Sequence, residues 1–552
     1  MTEPPQPPNQ PPTPSGYGHL PGPPQPGYGY PPQSGQNPYA QQPPQQPPYG
    51  QQPPAGYGFP PPPPHMPPGA PTGGPGMPPP AKKRTTVLIA AAVAGVLVLG
   101  TGAYFAFLSD GDDGTDQPVA QASTPADDKP SASASVDSGD GSGNGGTTQA
   151  DLNAGRKQGE DKVLWLKTSK IDGPGSGVDA KGQWVVGDTV VKSLWKNLTG
   201  YAVADGKEKW TLAFPAVVCA VTGQTTADGK TVVLYKDGES DSADCNQMRM
   251  VDLKTGKEGW SHEVPKEGLF DIFTSPNLSL TGDTVIVNRL GQSSAFKVST
   301  GDKLFSSKQP EGCQPNDYAA GNGKLIAVAT CQDGDHTTEI QDADPTTGKK
   351  TWGYRLPKGY KVTRAYSVDP VVLDIGNDET KERSIIVLGP DGKPRATVSG
   401  QGSFATACGL GFSRSLQSCG TSSVDSGTLF LATTAQPGKG NNELVAFDLG
   451  TGKEKWRTPA GEGRTFVPIK AAGGQVFVYR EAESDKGGEV LTIPAGGGTP
   501  TAVLRHPSGP AAPIESSFSG PRIDYADGRF FLSASSLRAQ GKDEKFLMVF
   551  GK

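Results

Sequence analysis

The stretch Leu444-Val-Ala-Phe-Asp-Leu-Gly-Thr-Gly-Lys-Glu-Lys-Trp456 decides the fold. It reads as an apolar strand, a tight turn, and a second strand that reaches a large aromatic ring. Its Gly supplies the positive φ that such a turn requires. The phrase returns as Met250-Val-Asp-Leu-Lys-Thr-Gly-Lys-Glu-Gly-Trp260 and, shorter, as Tyr201-Ala-Val-Ala-Asp-Gly-Lys-Glu-Lys-Trp210. Recurrence of one strand–turn–strand unit means an array of small sheets.

Each unit is preceded by a turn and an apolar strand. Clear copies are Gly187-Asp-Thr-Val-Val191, Asp228-Gly-Lys-Thr-Val-Val233, Gly282-Asp-Thr-Val-Ile286 and Gly323-Lys-Leu-Ile326. Weaker ones begin at Asp369, Ser426, Gly474 and Asp527, which makes eight. The aromatic position falls on Trp165, Trp210, Trp260, Phe305, Trp352, Val398, Trp456 and Val503, at spacings of 45 to 58 residues. A four-stranded propeller blade needs about that length. The expected fold of residues 154–552 is therefore an all-β, eight-bladed β-propeller.

The six aromatic rings read as blade-docking residues that bury apolar surface against the next blade. Repetition argues against a ligand-stacking role for all of them, since a ligand site would not recur around a ring. The chain stops at Phe546-Leu-Met-Val-Phe-Gly-Lys552, one strand short of a blade. The missing strand stands at the other end, as Asp161-Lys-Val-Leu-Trp-Leu166. It is expected to complete the last blade and so remove an open sheet edge.

The rest of the chain is of another kind. Residues 1–80 hold 32 of the 55 prolines, with many Gln, Gly and Tyr. Segment 1–81 has too little to bury to offset its chain entropy and is expected to be a disordered tail. Lys82, Lys83 and Arg84 follow, and residues 87–108 are uncharged. A helix over 85–108 contains that run, which alone spans roughly 33 Å, enough for a bilayer core. The basic cluster on its N-terminal side places the tail in the cytoplasm and the remainder outside the plasma membrane. Residues 109–153 are rich in Ser, Gly, Asp, Thr and Ala and read as a flexible linker with a span of roughly 35–40 Å.

All six cysteines (Cys219, Cys245, Cys313, Cys331, Cys408, Cys419) lie beyond this anchor. An even count outside the cytoplasm points to disulfides. Nearest-neighbour pairing gives 219–245, 313–331 and 408–419, the second bracketing one expected hairpin; other connectivities remain open. No Cys-x-x-Cys and no nearby His pair supports a metal site. Beyond the anchor stand 48 basic and 55 acidic groups, a net of −7, which argues against a nucleic-acid partner.

The repeat phrase resembles the signature of pyrroloquinoline-quinone (PQQ) repeats, over roughly residues 160–552. The resemblance implies an eight-bladed propeller. That family holds quinoprotein dehydrogenases and also cofactor-free scaffolds similar to the assembly lipoprotein BamB. The Pro-rich tail, single anchor and linker are similar to those of actinobacterial membrane proteins. A quinoprotein would need a bound quinone, a Ca²⁺ site and a catalytic Asp, often beside an adjacent-cysteine disulfide; no Cys-Cys pair occurs here. Asp205, Asp252 and Asp448 recur with the repeat and read as turn formers. His262, His336 and His506 sit in no catalytic motif, and His336 reads as a solvated loop residue. No catalytic, cofactor-binding or metal residue is assigned.

The expected function is a non-enzymatic binding or scaffold module at the cell envelope. A PQQ-dependent dehydrogenase and a sensor coupled to a cytoplasmic partner are the alternatives. The expected contact face is the rim carrying the long polar loops 236–246, 332–338, 376–383, 436–442, 481–488 and 536–544, facing an unidentified envelope protein or ligand. The tail offers a docking segment to a polyproline-binding cytoplasmic partner.

Overall fold

The computed structural model describes residues 151–269, 271–307, 312–404, 415–417 and 420–552. The expected tail, the membrane helix over 85–108, Lys82, Lys83, Arg84 and the linker as far as residue 150 lie outside the described residues. Among the described residues no helix is long and apolar enough to cross a membrane.

Eight four-stranded antiparallel sheets follow one another along the chain. Blades 1 to 7 span residues 183–213, 218–263, 272–306, 313–355, 360–398, 422–459 and 466–505. Blade 8 takes three strands from residues 522–551 and its fourth, Lys162–Asp172, from the start of the ring. Lys162 pairs with Gly551 and Trp165 with Val549, so the expected closure is present.

Burial follows position within a blade. Second strands are packed on both faces: Thr428–Ala432 is buried at all five positions and Val371–Asn377 at all seven. Outer strands have one wet face and alternate, as in Lys350–Arg355. This is the difference between a fully and a half-buried strand.

Before each aromatic position the outer strand slips register by a bulge. Gly200 pairs with Trp210 but Tyr201 with Glu208; Ala446 pairs with Trp456 but Phe447 with Glu454. The extra residue re-aims the strand. The ring then lies under the turn between the third and fourth strands of the next blade. A Cβ on Gly206 would come within 2.6 Å of the Trp165 ring, and one on Gly256 within 2.4 Å of Trp210. Both glycines also hold φ of +71°. Trp260, Phe305, Trp352 and Trp456 meet Gly301, Gly348, Gly392 and Gly497 in the same way. Trp165 Nε1 donates to Val203 O at 3.1 Å, Trp260 Nε1 to Val298 O at 2.7 Å and Trp456 Nε1 to Ala495 O at 3.0 Å, each tying the ring to the next blade's turn.

Two junctions differ. In blade 5 the bulge falls at Arg395, so the position equivalent to the aromatic is Ala396 and not Val398 as the spacing suggests, and the backbone fills the gap: Gly452 closes on Thr397 O, and Ser399 N donates to Gly452 O at 2.8 Å. At the seam between blades 7 and 8 the two ends of the ring, Lys162 and Gly551, stand where a turn would be. Residues 151–161 strap it. Leu152 enters the core with Tyr479, Leu504, Ala511 and Phe518. The Asn153 amide exchanges two hydrogen bonds with the Val163 backbone at 3.0 and 2.9 Å. Leu152 and Asn153, at the end of the expected linker, are thus part of the folded unit.

The Gly256→Ala variant is expected to lose about 2–4 kcal/mol of unfolding free energy, from backbone strain and overpacking against Trp210 together. Gly282, with open space around it, should lose about 1 kcal/mol on the same change. Chemical denaturation of the two variants side by side checks the difference.

Candidate functional site: the loop face and the channel

In an antiparallel meander, connections between strands one and two and between three and four share one face of the ring. The three-to-four turns are uniform, five or six residues in each of blades 1 to 7. The opposite face carries the two-to-three connections and the blade-to-blade crossings. There the two-to-three lengths run from one residue, Gly291, to eleven, 236–246. The long connections are 236–246, 332–337, 378–382, 433–442, 481–488 and 534–539. The last is shorter than the sequence indicates, because the third strand of blade 8 already begins at Gln540.

This loop face is braced. Cys219–Cys245 ties the inner strand of blade 2 to its long loop, and Cys313–Cys331 closes the loop-face end of blade 4. Both are pairings that the sequence spacing indicates; Cys408 and Cys419 lie outside the described residues. Among the described residues, the one set of three Cys, His or acidic ligand atoms near enough to hold an ion is Cys313, Cys331 and Glu339. Both of its sulfurs are spent in the disulfide. That donor set does not fit the Ca²⁺ of a quinone site.

Two buried polar clusters sit under the loop face. In blade 3, Arg289 Nε and Nη2 donate to Asp271 Oδ1 and Oδ2 at 2.7 and 2.9 Å, with both side chains essentially sealed. Arg289 Nη2 also donates to Ser294 Oγ, whose hydroxyl donates to Glu267 at 2.6 Å. At the seam, Tyr479 Oη donates to Glu515 Oε1 at 2.7 Å, and His506 Nδ1 lies 2.6 Å from that same oxygen. The His506 ring stacks on Phe550 at 3.8 Å. This cluster pins the short helix Ala511–Glu515 to blades 7 and 8. Beside it lies a cavity of about 160 Å³ lined by Arg464, Thr465, Tyr479, Glu481, Glu515 and Phe518, among others. Neither cluster was legible in advance, since its members are scattered in sequence and belong to no motif.

The other histidines are elsewhere. His262 is exposed and stacks on Trp260 with ring centroids 5.2 Å apart. His336 stands in loop 332–337 with φ +48°.

The innermost strands surround the channel and carry Asp317, Arg364, Tyr366, Lys470, Arg522 and Asp524. Burial pushes the Asp317 carboxyl up to about 7, against the opposing hydrogen bond from the Tyr318 amide. Burial likewise holds the Lys192 ammonium well below its usual range, and the nearby Arg522 charge adds to it. Lys192 Nζ donates to Ala180 O. Past blade 3, Gln224 Nε2 and Gln417 Nε2 both donate to Ala320 O, and Ala320 N donates back to Gln417. These contacts link blade 2, blade 4 and the crossing into blade 6.

Residues 157–322 match a family profile described as outer membrane protein assembly factor BamB, of the PQQ_2 type. The ring is a PQQ-repeat β-propeller. The matched part covers the closing strand, blades 1 to 3 and the inner strand of blade 4 of this PQQ-repeat ring. No curated protein sequence matches the chain. Among solved structures, BamB from Moraxella catarrhalis is similar at 14% identity over 70% of this chain and 100% of its own, with a TM-score of 0.40. The quinohemoprotein alcohol dehydrogenase ADHIIG from Pseudomonas putida HK5 shows 13% identity, 70% and 76% coverage and a TM-score of 0.42. That of Comamonas testosteroni shows 15%, 70% and 76%, and 0.41.

Two expectations follow. Asp271→Ala strands the buried Arg289 charge and should cost about 3–5 kcal/mol, read as a fall in the urea midpoint. Because the folded Asp317 holds its proton up to about pH 7 and the unfolded one releases it near 4, stability should fall as pH rises between those values. The side chain still touches water, so the fall attributable to it is of order 1–2 kcal/mol. The Asp317→Asn variant should lack that part of the slope in unfolding measured from pH 4 to 8.

Proposed function

We propose that the chain is a non-enzymatic binding or scaffold module of the cell envelope. Its PQQ-repeat propeller is displayed outside the plasma membrane on one helix, residues 85–108, with the N-terminal tail in the cytoplasm. One observation carries the reading. Most of the long connections and both described disulfides share a single face, while the opposite face carries turns of two to six residues, the eight-residue connection 222–229 of blade 2 excepted. Varied, cross-braced loops on a rigid ring are the form of a recognition surface. The residues that the repeat does hold constant are engaged between blades, through Trp and Gly. The matched profile's description as an assembly factor is in keeping with a scaffold role. The tail gives the cytoplasmic end its own contact with a polyproline-binding partner.

The full chain, incubated with PQQ and Ca²⁺ and then desalted, is expected to retain no quinone absorbance. A stoichiometric bound chromophore would sink the scaffold reading. Photocrosslinkers placed in cells at Asp241, Lys439 or Asp485 on the loop face should capture an envelope protein. The same groups at Thr255 or Lys453 on the turn face should not.

A further inference from the structure

Among the described residues three large apolar side chains stand exposed, and all three gather at one corner of blade 3. Leu269 is 98% exposed, Leu290 71% and Ile272 41%. Ile272 and Leu290 are cross-strand partners at the loop-face end of the first hairpin, and Leu269 lies just before it on the crossing from blade 2. Here the two-to-three connection is a single Gly291 with φ +89°. The corner is thus the tightest turn on the face.

What lies beneath makes the corner rigid. The Arg289–Asp271 pair ties the second strand to the crossing, and the Arg289 guanidinium lies over the Phe273 ring at 4.8 Å. Glu267 is held through Ser294 Oγ at 2.6 Å and Gln292 Nε2 at 3.1 Å, and its own amide donates to Asp271 at 3.0 Å. A scattered exposed leucine carries no information. Three on a corner locked from below are different: an apolar contact made there loses little conformational entropy on binding.

The corner's border is acidic. Loop 236–246 of blade 2 carries Asp237, Glu239, Asp241 and Asp244 against the one Lys236. It is tied to the corner by Lys266–Asp244 at 2.8 Å and by Cys245 N donating to Phe273 O at 3.4 Å. Asp237 and Asp241 are exposed; Glu239, also exposed, is paired with Lys196 Nζ at 2.6 Å.

We infer that Leu269, Ile272 and Leu290 anchor a docking surface for a protein partner that presents an apolar surface bordered by Lys or Arg. The acidic flank disfavours the other occupants. An anionic lipid surface would be repelled, and a two-fold contact with a second copy would bring two acidic loops together. The inference shares its face with the scaffold reading but stands apart from it in the test, because it concerns these three side chains and no cofactor.

The full chain in phosphatidylcholine nanodiscs is titrated with a labelled amphipathic Leu/Lys helical peptide and with its Leu/Glu counterpart, empty nanodiscs serving as the blank. The Leu/Lys peptide is expected to bind at least tenfold more tightly than the Leu/Glu one. The Leu269→Ser/Leu290→Ser double variant should lose at least tenfold in that affinity at an unchanged thermal midpoint. Equal binding of the two peptides, or undiminished binding by the double variant, overturns the inference. So does binding to phosphatidylglycerol vesicles, or self-association in sedimentation, that the double variant abolishes: each would assign the corner to lipid or to a second copy.

Discussion

Everything in this ring rests on a contact between two residues of adjacent blades: an aromatic ring on an outer strand and the turn glycine above it. The glycine is required twice over. Its backbone sits at positive φ, and any Cβ would enter the ring. At Gly206 and Gly256 both conditions hold. The bulge ahead of each aromatic belongs to the same contact, because it sets the strand's aim. One short phrase thereby specifies turn, bulge and blade spacing together, which explains why it is the part of the chain that repeats.

How much could be read without the structure follows from that division. The phrase lies on the third and fourth strands and the turn between them, so blade number, closure and the aromatic positions were legible. The innermost strands carry no common phrase. Each pairs on one side only and faces the channel on the other, so Cys313–Gly321 and Phe466–Ala472 share little. Their acids and bases, Asp317 and Arg522 among them, took meaning only once the ring enclosed them. That blade 5 lacks its aromatic was visible, though the spacing put the position at Val398 and the bulge puts it at Ala396. That the Thr397 backbone would rise to meet Gly452 was not.

The loop face was legible in outline and not in substance. Long polar connections mark themselves in sequence, and two disulfides followed from nearest-neighbour spacing. The corner at Leu269, Ile272 and Leu290 does not announce itself, because these residues look like ordinary strand and crossing residues. Their exposure depends on how far one hairpin projects. Arg289 and Asp271, whose pairing holds that hairpin, are 18 residues apart with nothing in the sequence to join them. The longest loops and the rigid apolar corner are thus separate features of one surface.

The closing strand has a consequence for assembly. Of the ring's strands, Lys162–Asp172 is made first and Gln540–Gly551 last, and neither finds its partner until almost the whole ring exists. Until then, the third strand of blade 8 offers an unpaired edge whose complement is present on every other nascent copy. Two such molecules in proximity can trade first strands, each completing its neighbour's ring in place of its own. The strap at Leu152 and Asn153 works against that exchange, since it holds the first strand beside its own seam before a neighbour can take it.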